Sequence, residues 1–315
     1  MSQSLVSETL AVDYVKPADV VKTMIETGAS KADLSVLNIF VRGMLGGGFL
    51  AIATSIAFVA AAQTGIPVVG ALLFPVGFIC ITLLGVDLIT GYFALTPLAV
   101  IHGRLSFGGM LRAWVVVWAG NLAGSVLYAF MMYGGLSVFG ALPAVAPPVV
   151  AAVPPAATPG AAAPAPAPAP PLTPAQALMV PDPIGVSEAT VVKRIATFKT
   201  LHYEQFGGVG FLAIFVKAML CNWMVTLGVV LPMASRAAIG KIVATYVPIF
   251  MFFAMGYEHM VVNMFIIPAA MFFGAPITMG DFWIGNELPA TLGNFAGGFL
   301  FTGAALGFVY RTRAT

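Results

Sequence analysis

Hydrophobic residues in this chain run in long uncharged stretches. Residues 43–86 contain no Asp, Glu, Lys or Arg, and the same holds for 113–181, 218–235, 242–257, 259–280 and 288–310. An α-helix needs about 20 apolar residues to cross the hydrocarbon core of a bilayer. The stretches therefore predict six transmembrane helices, at 38–62, 69–101, 107–136, 209–232, 243–272 and 288–310. The second and fifth are too long for one plain helix, and each carries an acid near its middle, Asp87 and Glu258. Both are expected to be broken.

Residues 1–37 are read as a cytoplasmic N-terminal segment, with no apolar core followed by the small-residue cleavage site of a signal peptide. Within it Pro17 opens a short interfacial helix with Val20, Val21, Met24 and Ile25 on one side and Gly28 as its stop. Residues 38–136 and 209–310 are two three-helix units, 137–208 an extracytoplasmic loop, and 311–315 a cytoplasmic tail. From Pro143 to Pro174 the loop holds twelve prolines and twelve alanines. Proline removes backbone donors and favours extended polyproline II, so this run predicts a semi-rigid tether rather than a span.

Composition narrows the class. Of 315 residues 60% are hydrophobic and 8% charged, against about 25% charged in a soluble domain. An ordinary cytosolic enzyme and a disordered scaffold are excluded. The net charge of +2 is too small for a phosphate-binding field, so no nucleic-acid partner is expected. Cys80 and Cys221 lie inside apolar stretches, which excludes a disulfide-stapled secreted fold. With the N-terminus in the cytoplasm, that side collects Lys16, Lys22, Lys31, Arg42, Arg104, Arg112, Arg236, Lys241, Arg311 and Arg313. The opposite side holds Lys193, Arg194 and Lys199, and Lys217 lies inside the fourth span. This bias places both termini in the cytoplasm.

The two units repeat one another. Gly85-Val86-Asp87 matches Gly256-Tyr257-Glu258, and each acid is followed ten residues later by a proline, Pro97 or Pro268. Gly120-Asn121-Leu122-Ala123-Gly124 matches Gly293-Asn294-Phe295-Ala296-Gly297, and Arg42-Gly43-Met44-Leu45 matches Lys217-Ala218-Met219-Leu220. These features recur in the same order at nearly constant spacing. Three helices per unit, an odd number, force the units to lie upside down relative to each other. Transport proteins with inverted repeats hold their sites near the midplane, where the broken helices meet.

A carboxylate inside a span is unfavourable by about 2.5–3.5 kcal/mol on insertion scales, so it faces a cavity or caps something. The reading preferred for Asp87 and Glu258 is that each caps the half-helix after its break, accepting from exposed N–H groups, with substrate contact as the alternative. His259 follows Glu258 directly, with Gly256 and Asn263 beside it. Histidine is the side chain that exchanges protons near neutrality, so its expected work in mid-membrane is to pass or donate one. No second histidine or cysteine stands at ligand spacing, so no metal or cofactor is expected. No nucleophile–base set is apparent, so neither is an enzymatic activity.

The stretch Gly256-Tyr257-Glu258-His259-Met260-Val261-Val262-Asn263-Met264-Phe265-Ile266-Ile267-Pro268 resembles the fifth-helix signature of the formate/nitrite transporter family. Lys217-Ala218-Met219-Leu220-Cys221-Asn222-Trp223-Met224-Val225 is similar to the family's fourth helix. Asp87-Leu88-Ile89-Thr90-Gly91 is similar to its loop interrupting the second helix, and Pro289-Ala290-Thr291-Leu292-Gly293-Asn294 to its sixth. The likeness covers the chain except the proline–alanine run.

The resemblance implies an all-α polytopic membrane protein of six transmembrane helices. Its fold would be an aquaporin-like inverted repeat of three plus three helices with broken second and fifth helices, assembled as a homopentamer in the cell inner membrane. Each protomer would pass small monovalent anions, formate first, with nitrite or hydrosulfide as the alternative. A water or glycerol channel is disfavoured because paired Asn-Pro-Ala motifs are lacking. By position, His259 would be the central histidine with Thr90 as its hydrogen-bond partner, and Asn263 would stand beside it. Phe74 and Phe252 would form the extracytoplasmic constriction, and Phe78, Leu88 and Ile89 the cytoplasmic one. Lys217 and Asn222 would draw anions into the vestibule and contact them. Rings of Phe and Leu strip water from a bare anion without replacing it, so passage is expected at least partly as the protonated acid.

Overall fold

The structure, a computed structural model, describes residues 13–138 and 183–310. The proline–alanine run and the tail 311–315 lie outside the described residues. Within them the chain is all-helical, apart from one isolated antiparallel bridge between Tyr14 and Ser235.

Helix α1 (Pro17–Asp33) precedes α2 (Val36–Thr64). The next apolar stretch is divided into α3 (Pro67–Leu73), α4 (Pro75–Leu84) and α5 (Ile89–Ile101), and α6 (Phe107–Ser137) follows. In the second unit α7 (Pro183–Thr197) runs into a π-helical turn, Phe198–His202, and then α8 (Gly207–Val230). The fifth stretch is divided into α9 (Ala238–Ala254) and α10 (Met260–Phe272), and α11 (Leu288–Gly298) sits inside a last long helix, Asp281–Val309. Among the described residues, five helices are long and apolar enough to cross a membrane.

The breaks fall where the sequence places them. Gly85 and Gly256 end the first half-helices with φ of 69° and 62°, a left-handed conformation that costs glycine little and other residues more. Leu88 and His259, the residues just before the second half-helices, stand in extended backbone. Arg42 reaches across to donate to the Gly85 carbonyl at 3.3 Å, meeting the negative end of α4.

Small residues set the approach of the paired long helices. A Cβ at Gly124 would strike the Met44 carbonyl, and one at Gly297 the Met219 carbonyl. This backbone-close packing of α2 on α6 and of α8 on α11 is what small residues permit between membrane helices.

Two expectations about the flanking segments change. Helix α1 does not stop at Gly28 but runs on to Asp33, because Ala29-Ser30-Lys31-Ala32 sustains it. Gly28 is instead the point where α1 crosses α5, and a side chain there would meet the Leu95 carbonyl. The segment 137–208 is not loop throughout, since α7 packs against α10 and α2, and its π turn against the start of the last long helix. Helix α7 packs on α10 and α1 packs on α5.

Candidate functional site

Each break is clamped by one asparagine. Asn121 Nδ2 donates to the carbonyls of Gly43 (2.8 Å) and Asp87 (2.9 Å), while Ile89 N donates to Asn121 Oδ1 at 2.9 Å. Asn294 Nδ2 donates to the carbonyls of Ala218 (2.7 Å) and Glu258 (2.9 Å), and Met260 N donates to Asn294 Oδ1 at 2.9 Å. The repeated Gly-Asn motif thus ties the first long helix, the break and the half-helix after it into one unit. It satisfies backbone groups that the break exposes in an apolar surrounding.

The carboxylates are not helix caps. Asp87 accepts from Lys31 Nζ and, at 3.3 Å, from the Tyr92 hydroxyl. Glu258 Oε2 accepts from Lys199 Nζ at 2.7 Å and from Asn263 Nδ2 at 2.9 Å. Leu88, the residue before α5, makes no capping bond of its own, whereas His259 also caps α10, its Nδ1 accepting from Val262 N at 3.3 Å. A full ammonium compensates a buried carboxylate better than the half charge of a helix end, which explains the preference. Asn263 Nδ2 also donates to Asn286 Oδ1 (2.7 Å), and Asn286 Nδ2 donates to the Lys199 carbonyl (2.8 Å). Lys199, Glu258, Asn263 and Asn286 so form a closed buried ring.

Lys31 and Lys199 escaped the sequence reading, which counted them only for orientation. They stand 56 and 59 residues before their acids. That near-equal spacing extends the repeat and was the signal available. Lys217, nominated for the vestibule, donates instead to the Tyr203 hydroxyl at 2.9 Å, with its ammonium 6.0 Å and 5.7 Å from the ring centres of Phe198 and Tyr203. It lines neither cavity described below.

Two cavities open toward opposite ends of α2. The larger, about 680 Å³, lies at its C-terminal end and is lined by Pro67, Arg194, Lys199, Phe252 and His259 among others. The smaller, about 220 Å³, lies on the α1 side and is lined by Lys31, Phe78, Asp87, Leu88, Tyr92 and Lys241 among others. Phe74 and Phe252 are both buried and meet edge to face with ring centres 5.4 Å apart, and Phe252 stacks on the His259 ring at 5.6 Å. Phe78, Leu88 and Ile89 are all buried, and of the three Phe78 and Leu88 line the smaller cavity.

Thr90 and His259 do not bond each other. Thr90 Oγ1, Asn222 Oδ1, His259 Nε2 and Asn263 Oδ1 are all buried, and each is without a hydrogen-bond partner among the described residues. Because His259 Nδ1 accepts from Val262, the neutral ring carries its proton on Nε2. Asn222 Nδ2 donates to the Thr90 carbonyl at 3.1 Å and to the Asn294 carbonyl at 2.7 Å, so it joins the two halves at the breaks. No group of three or more His, Cys, Asp and Glu suited to a metal ion occurs among the described residues.

Comparison with known proteins agrees with this architecture. The family model described as formate/nitrite transporter matches residues 18–158 and 177–308. A "probable formate transporter" of Methanothermobacter thermautotrophicus is 31% identical, the match covering 94% of this chain and 97% of that one. The formate channel FocA of Escherichia coli is 25% identical over 95% of each chain. Among solved structures, an "FNT family ion channel" has 24% identity and a TM-score of 0.68, covering 94% of this chain and 99% of its own. A "pentameric formate channel with formate bound" has 22% identity and a TM-score of 0.62, covering 88% and 98%. These two likenesses establish the fold. With the family model spanning both helical units and a relative above 30% identity along nearly its whole length, the chain is a multi-pass membrane protein of the formate/nitrite transporter family.

Proposed function

We propose that this protein is a formate channel that passes small monovalent weak-acid anions across the cell inner membrane, with both termini in the cytoplasm. Relatives named for formate support that substrate over nitrite and hydrosulfide. The six apolar stretches, two of them broken, are read as six spans in an aquaporin-like inverted repeat, a reading supported by the matched bonds of Asn121 and Asn294. The homopentamer is extended to this chain from the solved relative described as a pentameric formate channel.

One observation carries the reading: Thr90 Oγ1, Asn222 Oδ1, His259 Nε2 and Asn263 Oδ1 are buried and unpartnered. Each such atom destabilises the fold by about 1–3 kcal/mol unless something satisfies it. A small carboxylate and its acid present the complementary acceptors and donor. The buried rings of Phe74 and Phe252 would strip a bare anion of water at a penalty of several kcal/mol. A neutral weak acid crosses them far more easily. His259 therefore takes up a proton, hands it to the anion directly or through water, and returns to neutral. Net transport is anion plus proton, downhill.

Reconstituted vesicles offered formate, nitrite and glycerol, with internal pH recorded, test this. Formate flux with accompanying acidification is expected, and His259→Asn is expected to lose the proton coupling. Unchanged proton-coupled flux in that variant removes the histidine from the mechanism. Nitrite flux well above formate reassigns the substrate, and glycerol flux overturns the class.

A further inference from the structure

Each cavity is lined by two Lys or Arg side chains, and in each one of the two is already neutralised. Lys199 is held by Glu258 and Lys31 by Asp87. The field of such a pair falls off much faster than that of a lone charge, so neither lysine alone draws an anion over the width of a vestibule. The unspent charge belongs to the other cation. Arg194, exposed on α7, lines the larger cavity, and Lys241, half-buried on α9, lines the smaller one. Among the described residues neither side chain makes a hydrogen bond or ion pair. Asp13, at the turn before α9, uses its carboxylate on the Ser235 hydroxyl and the N–H groups of Arg236 and Ala237.

We propose that Arg194 and Lys241 are the outer anion-capture sites of the two mouths, each taking a small oxyanion before it reaches the breaks. This rests on the channel reading above. The guanidinium of Arg194 offers a planar fork that grips both oxygens of a carboxylate, whereas Lys241 is a point charge. The two are not related by the internal repeat: α7 matches α1, whereas α9 matches α3 and α4. The mouths are therefore fitted separately, with a different cation at each.

The test uses methanesulfonate, a larger oxyanion that stays ionised and cannot pass as a neutral acid. Formate flux is measured in vesicles of known protein orientation while methanesulfonate is added to one side only. Arg194→Gln is expected to raise the inhibitory concentration about fivefold on the α7 side and leave the α1 side unchanged. Lys241→Gln is expected to do the reverse, at the magnitude of one charge contact in water. Arg194→Lys retains most of the block, and the differences shrink as ionic strength rises and screening shortens. Variants that conduct and are blocked like wild type on both sides would overturn the capture sites alone. Wild-type vesicles that pass no formate would instead overturn the channel reading.

Discussion

Asn121 and Asn294, one in each half of the chain, make the same three hydrogen bonds to equivalent atoms. Each holds a long helix against a broken one through backbone groups alone, so the clamp works whatever side chains surround it. Truncation to alanine leaves the carbonyl and the N–H at the break unpaired in a buried setting, where each orphan is unfavourable by about 1–3 kcal/mol. Asn121→Ala and Asn294→Ala should both unfold at markedly lower temperature in detergent, and by similar amounts. Thermal unfolding of the two variants side by side checks the equivalence, and a large loss in one alone would deny it.

The Lys199–Glu258 pair should show strong coupling. Removing one member of a buried ion pair strands the other charge and destabilises by about 3–5 kcal/mol. Lys199→Met and Glu258→Gln are each expected to destabilise severely, and the double variant to recover much of the loss. A double-mutant cycle on unfolding midpoints measures this. Additive losses would mean that the 2.7 Å contact does not matter to stability.

Lys217 is expected to be a spectator of transport. Its ammonium is engaged by Tyr203 and sits beside the Phe198 and Tyr203 rings rather than in a cavity. Formate uptake by Lys217→Met should stay within about twofold of wild type, the scale of the weak surface interaction it loses. Initial rates across substrate concentrations decide it, and loss of uptake at low formate would restore the lysine to the vestibule.

Acid should loosen the turn between α8 and α9. The Ser235 hydroxyl, followed by the N–H groups of Ala237 and Arg236, holds the Asp13 carboxylate below its ordinary value. A depressed folded value means that the ionised form stabilises the turn. That contribution is complete above the unfolded value of about 3.9 and fades as pH falls through the folded one. Protection of the Arg236 and Ala237 amides, taken relative to the intrinsic exchange rate at each pH, should therefore fall below pH 4 in wild type. In Asp13→Asn that protection should already be weak at neutral pH.

Much of the molecule was legible without coordinates. The uncharged stretches marked the long helices, and Gly85 and Gly256 marked the breaks. The Gly-Asn repeat pointed to equivalent halves, although not to the clamp its asparagines form. Gly28 misled because a glycine that ends a helix and one that lets two backbones cross look alike in sequence. Helix α7 was hidden by the proline–alanine run before it, and Lys199 was hidden with it.

What the sequence determined by itself was that the chain lives in a membrane and where its helices break. Both follow from properties local to a segment: the transfer energy of about twenty residues, and the backbone freedom of one glycine. Only the tertiary structure decided which charges neutralise which. Lys31 meets Asp87 and Lys199 meets Glu258 because α1 and α7 fold back over the broken helices, and Lys217, inside a predicted span, turns toward Tyr203 instead. A buried charge takes whichever partner the packing delivers, and partners 56 and 59 residues away are delivered by the fold rather than by the local chain.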